Sequence, residues 1–261
     1  MARESNAKPF YSVLVLALVC SALVSGAAVG LRPRQEANRL IDRKINILRA
    51  AGLYDPARPL EEQFSIVETR IVELASGRFA PPGTVDHDSY DPVKAAVRPG
   101  SGRSLSRKED MARLRHLERY SPVYLVREGG VTTRIILPVR GKGLWSTMYG
   151  YVCLDGDLTT ILGINFYEHG ETPGLGGEIE NEKWLAGWKG KKIYAPGGGL
   201  ALRVVKKGAA AGGKASPYEV DGISGATMTA KGVNDLMRFW FGEHGFGPFL
   251  ERFHQEEENN G

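Results

Sequence analysis

The residues best suited to chemistry lie in the segment 221–227, which reads D-x-x-S-G-A-T. Gly225 and Ala226 precede Thr227 at the expected start of an amphipathic helix. The first N–H groups of a helix have no partner within it, so this end attracts phosphate. The pattern therefore predicts an exposed Thr227 hydroxyl at a helix end that favours a phosphate. In the alternative interpretation, Ser224 and Thr227 are ordinary turn and cap residues.

A proline- and glycine-rich loop at residues 171–177 is the second element of the predicted site. Proline and glycine fix the backbone of such a loop, and its glycines expose N–H groups. The loop therefore suits a flat ring system. The loop would present Thr172 and Leu175 to the ring, and Glu171 and Gly176 are further candidates for the surroundings of the ring.

The third element is the tripeptide Gly143, Leu144 and Trp145. Gly143 gives access, and the face of Trp145 is suited to stacking against another ring. A place in the hydrophobic core is the alternative for Trp145, and the sequence leaves both interpretations open.

The sequence predicts neither a metal site nor a dinucleotide site. Cys20 and Cys153 are isolated, and His87 has no second histidine at ligand spacing. The glycine-rich segment 196–199 lacks the helix and the downstream acidic residue of a dinucleotide fingerprint. His169, next to the loop, is given no role.

Hydrophobic periodicity predicts the elements that hold these residues. Helices are expected over residues 35–51, 60–76, 107–119, 179–188 and 227–241. Strands are expected over residues 123–127, 132–138, 148–154, 159–168, 193–194 and 200–205. Loops are expected over residues 78–106 and 206–216. Because the strands are grouped and the helices flank them, the pattern favours an α+β domain with a mixed or antiparallel sheet.

The N-terminal residues 10–31 contain no charged side chain. As a helix they reach about 33 Å, enough for the hydrocarbon core of a bilayer. A cleaved signal peptide is the alternative, since small residues occur at 25–27. The length of the apolar segment favours an uncleaved anchor. Basic residues are more numerous after the span than before it, which by the positive-inside rule alone puts the large domain in the cytoplasm.

Composition limits the function classes. Hydrophobic residues make up 42% and charged residues 25% of the 261 residues, which predicts a globular core. The formal net charge is only +4, without the clustered basic stripe of a nucleic-acid binder. We therefore expect no nucleic-acid partner.

Taken together, these segments resemble a known family, the C subunits of the Na⁺-translocating NADH:quinone oxidoreductases of bacterial respiratory membranes. The matching pieces are the N-terminal span and residues 46–53, 143–145, 171–177, 220–227 and 245–250. The D-x-x-S-G-A-T motif also occurs in the G subunit of the related Rnf complex, and residues 46–53 favour the first family.

The resemblance implies that a flavin transferase esterifies the phosphate of FMN to the Thr227 hydroxyl. Asp221, Ser224, Gly225 and Ala226 then belong to the sequence that the transferase recognises. The chain would relay electrons between redox centres on the way from NADH to ubiquinone, without an NADH site of its own, in a complex that exports Na⁺. Two alternatives stay open: the G subunit of an Rnf-type complex, and an anchored structural or assembly subunit without flavin.

The resemblance also implies an organisation and a location. It predicts a single-pass protein of the bacterial inner membrane with a periplasmic flavin domain, in conflict with the charge count. The expected partners are the other subunits of the complex, the flavin transferase and membrane lipid. The expected segments are a cytoplasmic stub (1–9), a transmembrane helix (10–31), a helical connector and loop (32–106), the FMN-binding domain (107–255) and a flexible tail (256–261).

Overall fold

The computed structural model describes residues 7–86, 89–206, 208 and 216–260, without the side chains of 7, 8 and 257–260. His87 and Asp88, most of the predicted loop 206–216, the start of the N-terminal stub and the last residue therefore lie outside the described residues. The chain divides into two units, Met1–Arg43 and Lys44–Gly261.

The described part of the N-terminal unit, from Ala7 onward, is helical. The helix α1 runs over Ala7–Ala51 with Pro33 inside it, so the expected span and the helix expected over 35–51 are one element. Its segment Pro9–Ala51 is long and apolar enough to cross a membrane, with a mean hydropathy of 2.4 in a window of which none is buried. The remaining described helices are α2 Leu60–Phe64, α3 Pro92–Ala96, α4 Glu182–Ala186, α5 Thr227–Trp240 and α6 Gly247–Asn260.

The second unit is built on a six-stranded sheet. The described strands are β1 Val67–Glu73, β2 Arg78–Phe79, β3 Gly102–Ser104, β4 His116–Glu118, β5 Tyr120–Glu128, β6 Val131–Lys142, β7 Thr147–Asp155, β8 Ile161–Glu168, β9 Arg203–Val205 and β10 Glu219–Asp221. The main sheet has the order β2-β1-β5-β6-β7-β8, and every neighbouring pair is antiparallel. Two short pairs, antiparallel β3–β4 and parallel β9–β10, complete the set. The α+β class with a mixed set of strands is confirmed.

The middles of the central strands, residues 123–126, 135–139 and 151–154, are continuous apolar runs because both faces of the sheet are covered. In β5, Val123 and Leu125 belong to the core cluster that contains α5 and α6, whereas Tyr124 belongs to the cluster on the other face. That second cluster also contains Ile47 and Leu48, from the end of α1. The site described below lies at the end of the sheet where β6 passes into β7.

Two expected helices are wrong. Residues 60–76 contain only the short α2, after which β1 pairs with β5. This segment has apolar residues at helical spacing, but it is also rich in β-branched residues, and pairing with an existing strand decides its structure. Residues 107–119 form turns and then β4, and the positive φ angles of Arg113 (56°) and Arg115 (67°) exclude a continuous α-helix.

The other expectations are met in part. The two hairpins, β5–β6 and β7–β8, and the helix α5 are confirmed. Of the helix expected over 179–188, a 3₁₀ turn at Gly176–Glu180 and the short α4 are present. The strands expected over 193–194 and 200–205 reduce to one bridge, between Tyr194 and Leu200, and to β9. The helix α6 continues into the expected tail, and β1 and β2 bring part of the expected connector into the sheet.

Candidate functional site

Thr227 is the first residue of α5, and its side chain is exposed. The preceding Ala226 (φ −126°, ψ 45°) offers no side-chain cap, and the first turn holds no acidic residue. Among the described residues, the Thr227 hydroxyl makes no hydrogen bond. The start of α5 therefore has an outward hydroxyl and uncapped N–H groups, the combination that favours a phosphate.

A tight turn leads into this helix. The N–H of Ala226 donates to the carbonyl of Ile223 at 3.2 Å. Gly225 has a φ of +75°, the value that the third position of a type II turn requires, and the exposed Ser224 occupies the second position. A Cβ on Gly225 would also lie 3.1 Å from Leu175 Cδ2, so the motif is in contact with the 171–177 loop.

Asp221 lies apart from Thr227, in β10. Its carboxylate Oδ1 accepts a hydrogen bond from the N–H of Gly208 at 2.9 Å, and its carbonyl accepts one from Trp184 Nε1 at 2.8 Å. The structure therefore gives Asp221 a local structural role before the turn. Recognition of Asp221 by a transferase stays a prediction.

Glu171 points inward, with only 5% of its surface exposed. Its carboxylate accepts hydrogen bonds from the N–H groups of Leu144 (3.1 Å), Trp145 (2.9 Å) and Ser146 (3.1 Å). The hydroxyl of Thr229 donates a fourth, at 2.6 Å. We call this arrangement, formed by Glu171, the 144–146 amides and Thr229, the Glu171 latch.

The latch fixes the charge of its carboxyl group. Burial alone would raise the pKa of Glu171, but the hydrogen bonds from Thr229 and the three amides outweigh burial and hold the pKa below its usual range. Glu171 was expected beside a ring. With its carboxylate bound by four donors of this chain, it ties the β6–β7 turn to α5, and its place beside a ring stays a prediction.

Two of the predicted glycines make room for the latch. A Cβ on Gly143 would lie 2.6 Å from Glu171 Oε1, and a Cβ on Gly176 would lie 2.5 Å from Thr229 Oγ1. Real Cβ atoms do not approach so closely, so a side chain at either position would force the latch to shift. These glycines let three segments of backbone meet around one carboxylate.

The outer side of the same segments is apolar and exposed. The exposed fractions are 46% for Leu144, 65% for Trp145, 46% for Leu175 and 48% for Met228. We call these four side chains the apolar shelf. The core interpretation of Trp145 is therefore wrong. The exposed Thr172 shapes the loop through its carbonyl, which accepts from the N–H groups of Leu175 at 3.1 Å and Gly177 at 2.9 Å.

A small cleft beside the shelf is basic. Leu144 and Met228 line it together with Arg113, Lys142 and Lys231. Lys231 forms an ion pair with Asp235, the acidic side chain that lines this cleft. The excess of cations provides an environment for a negatively charged ligand next to Thr227.

Sequence reasoning missed Thr229, Ser146 and His169. His169 accepts a hydrogen bond at Nδ1 from the N–H of Glu171 (3.2 Å), and its Nε2 lies in contact with the carboxylate of Glu180. It thus holds the start of the 171–177 loop. The only signal in the sequence was the Thr-x-Thr spacing at 227 and 229, which places two hydroxyls on opposite sides of one helical turn.

Comparison with known proteins places this geometry in a family. A model of the FMN-binding domain matches residues 143–242. The C subunit of the Na⁺-translocating NADH-quinone reductase of Pseudomonas aeruginosa is 44% identical over 259 residues, covering 98% of each chain. The corresponding C subunit of Yersinia pestis is 42% identical over 263 residues, covering 99% of this chain and 97% of that protein.

Solved structures agree with these relatives. The crystal structure of NqrC from Shewanella oneidensis matches with a TM-score of 0.76 and 32% identity, over 84% of this chain and 99% of that one. The crystal structure of the C subunit from Parabacteroides distasonis matches with a TM-score of 0.65 and 31% identity, over 84% and 96%. The chain belongs to the NqrC family, the C subunits of Na⁺-translocating NADH-quinone reductases.

Membership of the NqrC family decides against the Rnf-type alternative, and the domain match supports FMN as the cofactor. The described residues fit FMN by their chemistry. The uncapped start of α5 and the basic cleft suit its phosphate, and the apolar shelf suits a flat ring. Among the described residues, no group of three or more metal-binding side chains lies close together.

Proposed function

We propose that this chain carries FMN in a phosphoester bond to Thr227 and relays electrons as a subunit of the Na⁺-translocating NADH-quinone reductase. The observation that carries the proposal is the exposed Thr227 hydroxyl, free of hydrogen bonds to described residues, at the uncapped start of α5 and beside the apolar shelf. The family relatives support the assignment to this complex.

The attachment reaction is a phosphoryl transfer without a change of oxidation state. Thr227 Oγ forms a bond to the flavin-side phosphorus of a flavin dinucleotide, and the phosphoanhydride bond breaks. A nucleoside monophosphate leaves with the electron pair, and the hydroxyl proton passes to the flavin transferase or to water. Because the Thr227 hydroxyl accepts and donates no bond within the described chain, it enters this reaction without first breaking one.

We assign the surrounding residues two roles, recognition by the transferase and contact with the ring. Asp221, Ser224, Gly225 and Ala226 form the recognition segment for the transferase. Trp145, Leu144 and Leu175 provide an apolar surface that orients a ring and excludes water from one of its faces. When bound, FMN supplies the one- and two-electron chemistry of the relay.

Gly143, Glu171, Thr172 and Gly176 act behind this surface. Gly143 and Gly176 make room for the latch, Glu171 holds the 144–146 turn, and the Thr172 carbonyl fixes the backbone below Leu175. None of these residues is assigned a catalytic role. We assign no NADH site to the chain, which makes it a relay between other centres of the complex.

The chain is proposed to be a single-pass protein of the bacterial inner membrane, with residues 10–31 in lipid and the flavin domain in the periplasm. Residues 10–31 of α1, which are apolar and exposed throughout, support the span. The family argument outweighs the charge count, because charge governs the placement of long translocated domains only weakly. Protease added to spheroplasts should digest the flavin domain; protection until lysis would contradict the periplasmic placement.

Intact-mass measurement tests the proposed attachment. With a flavin transferase co-expressed, the full-length chain should gain the mass of FMN less one water and fluoresce on a denaturing gel. The variant Thr227→Val should lose both signals, whereas the matched control Thr172→Val, another exposed threonine of the site, should keep them. If Thr227→Val retains the added mass, Thr227 is not the attachment residue. A wild-type chain without added mass would favour the anchored structural subunit.

A further inference from the structure

The first turn of α5 is held in an unusual way. A helix start is normally secured by a side chain at the cap position, and without one the terminal turn frays. Ala226 occupies that position in α5 and supplies no such bond. Yet this turn carries the proposed attachment residue, so something else must keep it ordered.

Thr229 provides the missing restraint. Its side chain is only 1% exposed, and its hydroxyl donates to Glu171 Oε2 at 2.6 Å. Glu171 is itself fixed by the 144–146 amides, so the partner of Thr229 cannot move away freely. A carboxylate near a helix N-terminus also interacts favourably with the helix dipole. The bond therefore restrains the first turn from inside the protein, as a cap would.

The position of Thr229 also sets the direction of Thr227. Successive residues of an α-helix are rotated by about 100° around its axis. The side chains of two residues that are two positions apart therefore point in directions about 200° apart. When Thr229 points to the buried carboxylate, Thr227 must point to the opposite side of the helix, where it is exposed. The packing of Val233 and Met237 fixes the middle and the end of α5 but lies at least one turn further along.

We propose that Thr229 is a positioning residue for flavin attachment. Held by Glu171, it fixes the first turn of α5 so that the Thr227 hydroxyl faces the transferase. Thr229 itself carries no flavin, because its own hydroxyl is buried and engaged. The inference rests on the proposed function, since it needs Thr227 to be the attachment residue.

The test is a kinetic assay of attachment. Full-length chain lacking flavin is titrated against a flavin transferase with a flavin dinucleotide, and covalent flavin is followed by gel fluorescence and intact mass. Thr229→Val should lower the maximal rate about tenfold or more, because it removes a hydrogen bond to a charged group. The chain concentration at half-maximal rate should change little. A merely less stable chain would instead show a higher half-maximal concentration, because part of it would be unfolded.

Three further variants complete the design. Thr229→Ser keeps the hydroxyl and should retain most of the rate, and Thr133→Val, which removes a hydroxyl bond to the Val126 carbonyl, should leave it unchanged. If Thr229→Val does not fold, Gly176→Ala replaces it, since the added Cβ would lie 2.5 Å from Thr229 Oγ1.

The outcomes separate the two proposals. A wild-type maximal rate in Thr229→Val, or an equal loss in Thr229→Ser and Thr229→Val, would overturn the positioning role. If Thr227→Val still acquires flavin, the proposed function fails instead. In the expected result Thr227→Val acquires none, and none is transferred to Thr229.

Discussion

The Glu171 latch and the apolar shelf are two sides of the same few segments. Leu144 and Trp145 give their N–H groups to the buried carboxylate and turn their side chains outward. In α5, Thr229 binds inward and Thr227 points outward. On the inner side, the Glu171 carboxylate is bound by groups of this chain. On the outer side, the apolar shelf and the Thr227 hydroxyl face solvent.

This difference shows how the site is prepared before any ligand arrives. A binding surface works best when its residues are held by a second layer of contacts. Here one carboxylate connects the β6–β7 turn, the 171–177 loop and the start of α5. Changes on the inner side should therefore reduce stability, and changes on the outer side should affect the flavin alone.

The largest loss of stability is expected for Glu171→Gln. The NH2 group of Gln would face at least one of the N–H groups that now donate to Glu171, leaving it without a partner at a cost of about 1–3 kcal/mol, and the neutral amide would weaken the remaining hydrogen bonds. We expect a loss of about 3 kcal/mol in the free energy of unfolding. Urea unfolding of the full chain in detergent measures it. Glu243→Gln, at a side chain that is 85% exposed, is the control and should stay near wild type; equal stability of both variants would contradict the role of the latch.

Acid should remove the contribution that the charge of Glu171 makes to the free energy of unfolding. The pKa of Glu171 is lowered in the folded protein, so its stabilisation is complete above the pKa of an unfolded Glu, about 4.3, and is lost as the pH falls through the lowered value. The difference in unfolding free energy between wild type and Glu171→Gln should thus shrink as the pH decreases below about 4. A difference that stays constant down to acid pH would show that the charge of Glu171 does not stabilise the fold.

The outward-facing residues were easier to predict from the sequence than the inward-facing Glu171 latch. Thr227, Leu175 and Trp145 carry local signals: a helix start, a glycine-rich loop and a glycine-flanked aromatic residue. The inward direction of Glu171 depends on partners far away in the chain, the 144–146 amides and Thr229. Only the folded backbone brings these partners together.

The same reason explains the errors in the fold. The hairpins and α5 follow from local periodicity and were predicted correctly. In β1, however, apolar residues at helical spacing competed with β-branched ones, and the long-range pairing with β5 decided the outcome. The segment before β4 was assigned to a helix because nothing in the sequence indicated the positive φ angles of Arg113 and Arg115.

A smaller loss of stability is expected for Gly176→Ala, another change on the inner side. The new methyl group would meet Thr229 Oγ1 at 2.5 Å, and overpacking of this kind costs about 1–3 kcal/mol. Gly199→Ala is the matched control, because its Cβ would have no neighbour within 4 Å and its φ is not positive. Thermal unfolding of the two variants should therefore separate them clearly. Similar midpoints would indicate that the 171–177 loop yields easily and does not press on α5.

The smallest effect on stability, and a specific one on the flavin, is expected for Trp145→Ala. Trp145 is 65% exposed, whereas Trp188 and Trp240 are buried, so its loss should change the free energy of unfolding by no more than about 0.5 kcal/mol. A tryptophan stacked on a flavin quenches its emission, so the covalent flavin of the variant should fluoresce more strongly. Val131→Ala, at an exposed apolar residue at the start of β6, should leave both properties unchanged. If the emission of Trp145→Ala equals that of wild type, the ring does not lie on the shelf, even though the latch behind it holds the same backbone.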